Sequence, residues 1–86
     1  PATMQAEQLD IMVTWGHLYM HLNQPAIAPP GECVPNVELF RRLAKTMGFT
    51  DEHWDLDDWD MLRRCYDWDA PVMKGITLEA LKEKGW

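Results

Sequence analysis

Apolar residues recur at helical spacing through the second half of the chain. From Asn36, a residue type suited to a helix N-cap, Val37, Phe40, Leu43, Ala44 and Met47 follow one another at that spacing, and Gly48 stands where a C′ glycine ends a helix. The pattern predicts a helix over Val37–Met47. Phe49 before Thr50, with Trp54 at the N4 position, has the form of a hydrophobic staple. The same form recurs at Leu56, Asp57 and Met61, where Asp60 adds negative charge to the first turn, and at Ile76, Thr77 and Leu81 before Gly85. Short helices are predicted near Asp51–Trp54, Asp58–Tyr66 and Leu78–Lys84, with Pro71 and Gly75 in the connection between the last two.

The first half lacks that period. "IMVTWGHLYMHL", Ile11 to Leu22, is rich in β-branched and aromatic residues, with Gly16 as a bend or bulge. It predicts one or two short strands, neither with an obvious partner inside the chain, and an isolated strand or hairpin is marginal in water. "NQPAIAPPGECVPN", Asn23 to Asn36, then carries four of the six prolines. Pro25, Pro29 and Pro30 hold φ and remove three donors, which favours an extended path and forbids a central strand. The expected fold class is an α+β fragment: a strand or loop segment (1–22), a Pro-rich connector (23–36) and a segment of three to four short helices (37–86), forming one unit over 1–86.

Composition sharpens this. A chain of 86 residues with 47% hydrophobic residues and five tryptophans is too apolar for a disordered tail. Its formal charge of −6, with no Lys or Arg before Arg41, excludes nucleic acid and anionic membrane surfaces as partners. No apolar run approaches the roughly 18 residues of a membrane span, and no basic leader precedes an apolar stretch. A soluble protein is expected, cytoplasmic in preference to periplasmic, and a start at Pro1 suggests a processed chain or a piece of a longer one.

The chemistry-bearing residues form no familiar catalytic pattern. Nucleophile elbow, phosphate loop, HExxH and CxxC motifs are all missing, so no complete catalytic site is expected. His17 and His21 lie four apart and share one side of a helix or strand. With Cys33 and Cys65 they would make a zinc set, but one without the closely spaced cysteine pair such modules use, and the two cysteines are expected as free thiols. "TDEHWDLDDWD" lacks the glycine that a calcium loop needs at its sixth position and reads as a solvated surface with two helix starts. Trp54, Trp59 and Trp68 are expected to bury against Phe40, Met47 and Leu62. The alternative is a free-standing interaction module that displays those three tryptophans.

"PATMQAEQLDI", then "GHLYMHLNQPAIAPPGECVPNVELFRRLAKTMGF", then "GITLEALKEKGW" resemble one continuous part of the molybdopterin oxidoreductases, the dimethyl-sulfoxide-reductase superfamily. The likeness is strongest over Pro25–Phe49 and poor across the acidic middle. It implies a structural part of a much longer catalytic chain, packed near the substrate funnel of a larger α/β enzyme. The parent would carry bis-molybdopterin guanine dinucleotide with molybdenum or tungsten, while the fragment alone would hold no cofactor and no metal. The metal's protein ligand would come from a distant region, so neither Cys33 nor Cys65 takes that role. Glu7 and Asp10 match acidic residues that lie toward the funnel in similar enzymes, and His17 and Tyr19 follow in the segment that varies with substrate. The implied partner is the remainder of the parent chain or complex.

Overall fold

The segment Ile11–Leu22 folds back on itself. In the computed structural model, which describes residues 1–86, β1 (Asp10–Val13) and β2 (Met20–Asn23) pair antiparallel in the register Asp10–Asn23, Ile11–Leu22, Met12–His21 and Val13–Met20. The strands expected to lack a partner inside the chain are each other's partner. Their connection, Thr14–Tyr19, holds a single glycine and no Asn-Gly or Asp-Gly pair, so the short-range hairpin signal is missing. Gly16 bends this connection and makes no bulge within a strand.

The hairpin's third layer arrives from the far end of the chain. The helices are α1 (Asn36–Met47), α2 (Asp58–Cys65) and α3 (Leu78–Lys84), with 3-10 turns at Gln5–Glu7, Glu52–Asp55 and Pro71–Met73. Buried Ile11, Met20 and Leu22 of the hairpin meet Leu62 of α2, Met73, and Leu78 and Leu81 of α3 in one apolar cluster. Where α3 ends, the Gly85 carbonyl accepts from the Leu22 N–H at 3.0 Å and the Lys82 carbonyl from Gln24 Nε2 at 3.2 Å. Part of the β2 edge is thereby covered.

Local capping holds most helix ends where the residue types predict. Asp57 Oδ1 accepts from the Asp60 N–H at 2.8 Å, and Thr77 Oγ1 from the Ala80 N–H at 3.1 Å. Gly48 and Gly85 close α1 and α3 in the left-handed region, at φ 81° and 82°. Two caps shift by one residue. Pro35 instead of Asn36 caps α1, its carbonyl accepting from the Leu39 N–H at 3.0 Å, because its φ of −58° is set for a helix start and its missing donor is not needed there. Asp51 instead of Thr50 precedes the Glu52–Asp55 turn, which takes Phe49 and Trp54 off the N′ and N4 positions, yet their rings still stack at 6.3 Å.

The Pro-rich connector runs alongside the N-terminus. Ala2 and Val34 form a parallel bridge, closed by Thr3 N–H to Val34 O at 3.3 Å and Val34 N–H to Pro1 O at 3.1 Å. Ala26 and Ile27 both donate to the Ala6 carbonyl, at 2.8 and 3.2 Å. The prolines leave these donors free for use between them.

The orientation of α1 departs from expectation. Only Ala44 is buried, while Val37, Leu39, Phe40, Leu43 and Met47 are all exposed, so Phe40 and Met47 lie outside the core. Arg41 points inward instead, its Nη1 2.7 Å from Asp58 Oδ1, and at the exposed rim Lys45 Nζ lies 3.4 Å from Asp55 Oδ1. The whole chain is correspondingly open. Its accessible surface is 6666 Å², whereas a monomer of its mass exposes about 5,200 Å². Its radius of gyration is 14.7 Å against about 12 Å for a compact domain of this length.

Candidate functional site

The four residues expected to face a funnel divide between two places. Glu7 and Asp10 lie on the seam where the N-terminal segment meets α1 and α2, and His17 and Tyr19 at the tip of the hairpin.

At the seam, Asn23 organises the backbone. Its Nδ2 donates to the carbonyls of Gln5 and Gln8, the latter at 2.8 Å, and so holds the turn that presents Glu7. Glu7 is buried at 7% exposure, and its Oε2 accepts from the Met4 N–H at 3.0 Å. A cleft of about 530 Å³ opens beside it, lined by Glu7, Gln8, Gln24, Asp57, Asp58 and Trp59 among others. Asp10 lines a smaller neighbouring groove with Leu9, Val37 and Met61.

Three of the seam carboxylates are engaged within the chain. Asp57 caps α2, Asp58 faces Arg41, and Glu7 holds its own turn. The Arg41–Asp58 contact is short but lacks hydrogen-bond alignment, and Arg41 Nε and Nη2 have no partner. It is a charge contact with a desolvation cost, weaker than a bidentate pair.

At the hairpin tip the rings of His17, Tyr19 and His21 meet edge to face, His17 lying 5.3 Å from Tyr19 and 5.4 Å from His21. The Tyr19 N–H donates to His17 Nδ1 at 3.2 Å. Thr14 Oγ1, 2.8 Å from the same nitrogen, braces the turn. Tyr19 also meets Trp86 at 5.7 Å, and between them runs an apolar groove of about 360 Å³ with Leu18, Ile76, Ala80, Leu81 and Lys84. Sequence reasoning missed Trp86. The readable signal was its position after Gly85, where the residue following a C′ glycine packs back on the helix.

The zinc arrangement does not form. No three His, Cys, Asp or Glu side chains come together as a metal cluster, and Cys33 and Cys65 are unbonded. Nor do the central tryptophans make a platform. Trp59 and Trp68 are half-buried against the core, Trp68 Nε1 donates to the Arg63 carbonyl at 2.9 Å, and Lys82 Nζ sits 4.5 Å from the Trp59 ring. The exposed tryptophans are Trp15 and Trp86.

The exposed arginines are paired. Arg42 donates to Glu38, Arg63 to Glu79 and Arg64 to Glu52, at 2.7, 2.8 and 3.0 Å. These bonds hold the three glutamates below the usual carboxylate range, and Glu79 in turn raises Arg63. No helix is long and apolar enough to cross a membrane.

Compared with known proteins, the chain matches no family model. It is 38% identical over 82 residues to the probable oxidoreductase YoaE of Bacillus subtilis (strain 168), an alignment covering 94% of this chain and 12% of that protein. The chain thus spans about an eighth of that relative's length. No solved structure matches.

Proposed function

We propose that these residues are a structural segment of a larger oxidoreductase chain, contributing packing and part of a substrate passage, with the reaction carried out elsewhere in the parent. The single observation that carries the reading is the alignment to a probable oxidoreductase, which runs through nearly all of this chain and a small part of that protein. The open architecture agrees with it, since the surface in excess of a free-standing monomer's is surface that a neighbour would cover.

The finer proposal is that the parent is a molybdenum- or tungsten-dependent enzyme with bis-molybdopterin guanine dinucleotide. It rests on the resemblance over Pro25–Phe49. The seam cleft does not fit the cofactor itself. The cofactor's diphosphates are anionic, whereas that cleft is lined by Glu7, Asp57 and Asp58, and the nearby Arg41, Arg42 and Lys45 are engaged by Asp58, Glu38 and Asp55. Cofactor contacts are assigned to the parent's other regions. Glu7 and Asp10 at the seam, and His17 and Tyr19 at the tip, are proposed to face the passage.

Metal analysis of the purified full-length parent tests the finer proposal. Stoichiometric molybdenum or tungsten is expected, and an active parent with neither ends it. Translation of the surrounding reading frame tests the coarser one, which fails if the frame encodes nothing beyond these residues.

A further inference from the structure

Helix α1 is mounted with its charged side inward and its apolar side outward. Arg41 is turned inward against Asp58, with Lys45 reaching Asp55 at the solvent-exposed rim, while Phe40, Leu43 and Met47 stand 55%, 48% and 63% exposed. In a free-standing domain this orientation costs twice. Apolar area stays in water, at about 25 cal/mol per Å², and the Arg41 guanidinium is largely desolvated with two nitrogens unpartnered. The orientation is favourable only if something covers the ridge.

We infer that the Phe40–Leu43–Met47 ridge is an intramolecular docking surface, covered by an apolar face of the same polypeptide outside residues 1–86. The inference rests on the segment reading above and adds to it the surface and the occupant. Size selects the occupant. A helix of this length extends about 18 Å, and its outer stripe falls well short of the roughly 800 Å² per partner of a stable interface. Two copies meeting through α1 would therefore associate weakly. A tethered partner escapes most of the translational and rotational cost, so a small ridge suffices. The total surface points the same way. The excess over a monomer of this mass is about 1,400 Å², more than the ridge supplies, and Trp15, Leu18 and Val72 carry further apolar exposure on other elements. A parent in the proportion of the relative, about eight times this length, has enough chain to cover both regions.

The test is photo-crosslinking in the full-length parent, with p-benzoylphenylalanine placed at Leu43 and, as a solvent-facing control, at Glu83. The expected result is a crosslink from position 43 to a peptide outside residues 1–86 of the same molecule. Its yield should exceed the control's several-fold and stay unchanged on dilution. A crosslink between two molecules that fades on dilution would overturn the inference in favour of a second copy. A yield no higher than the control's would overturn it in favour of an exposed ridge. Either failure leaves the segment reading intact, because that reading depends on the reading frame and not on this surface.

Discussion

The hairpin–α3 corner and helix α1 are built from similar residues and put to opposite use. In the corner, Ile11, Leu22, Leu78 and Leu81 face one another, and the two backbones are joined by Leu22 N–H to Gly85 O. In α1, an amphipathic sequence turns Arg41 and Lys45 toward the acidic Asp55–Asp58 stretch and leaves Phe40, Leu43 and Met47 in solvent. Residue type tells that a helix has an apolar side; the neighbours decide which way it points. The corner is a small apolar core, and α1 keeps its apolar side exposed.

The sharpest way to break this contrast is to cut the corner. Leu81, at 2% exposure, is its most buried side chain. Leu81→Ala is expected to destabilise the 86-residue chain by about 2–5 kcal/mol, read as a drop in the urea midpoint. A loss below about 0.5 kcal/mol, the scale of surface changes, would show that the corner is not the core.

Next comes the charged side of α1. Arg41→Ala removes the largely buried cation and leaves Asp58 facing α1 without a counter-charge. Discounting for the solvent that still reaches Asp58, the expected cost is about 1–2 kcal/mol. Arg41→Met, which keeps the volume and drops the charge, should recover part of it. If both variants match the parent sequence in thermal melts, the inward pairing contributes nothing.

The cap of α3 tests the corner more gently. Thr77→Ala should cost about 1 kcal/mol, whereas the same change at Thr50, which caps nothing, should fall within about 0.5 kcal/mol. Equal effects at both positions would contradict the observed capping.

The apolar side of α1 gives a smaller effect still. Leu43→Ser is expected to change the stability of the isolated 86-residue chain by no more than about 0.5 kcal/mol, while lowering the melting temperature of the full-length parent. Equal loss in both contexts would mean that the ridge is buried within these residues.

The smallest effect is the pH dependence of the Glu52–Arg64 contact. Arg64 holds Glu52 below its ordinary value of 4.5 through a hydrogen bond at 3.0 Å. A carboxylate depressed on folding stabilises above its unfolded pKa, and that contribution is lost as pH falls through the lower folded value. The difference between the wild-type chain and Glu52→Gln should therefore be present at neutral pH and vanish in acid below 4.5. A difference that grows as the solution is acidified would reverse the sign and rule out the contact.

What could be read from the sequence was the local part of this contrast. Asp57, Thr77, Gly48 and Gly85 act within a turn of themselves, and each stands at the helix end its residue type marks. The hairpin partnership was hidden because its loop has no short-turn signal and its cover comes from α3, more than fifty residues away. The outward turn of α1 was hidden for another reason. Periodicity groups residues by side without ranking the sides, and the acids that hold Arg41 and Lys45 belong to a stretch that reads alone as a solvated surface. The funnel candidates likewise separated, Glu7 and Asp10 to the seam, His17 and Tyr19 to the tip, because residue spacing does not encode the fold-back between them.

The inward pairing of α1 makes ionic strength a two-way control on this segment. Added salt shortens the Debye length to about 8 Å near physiological strength and about 3 Å at 1 M, which weakens the hold of Asp55 on exposed Lys45. Strongly salting-out anions at the same time raise the penalty for leaving Phe40, Leu43 and Met47 wet. Dilute buffer therefore keeps the helix seated and the molecules apart, while sulfate loosens its seat and drives its outer side toward whatever apolar surface is nearest.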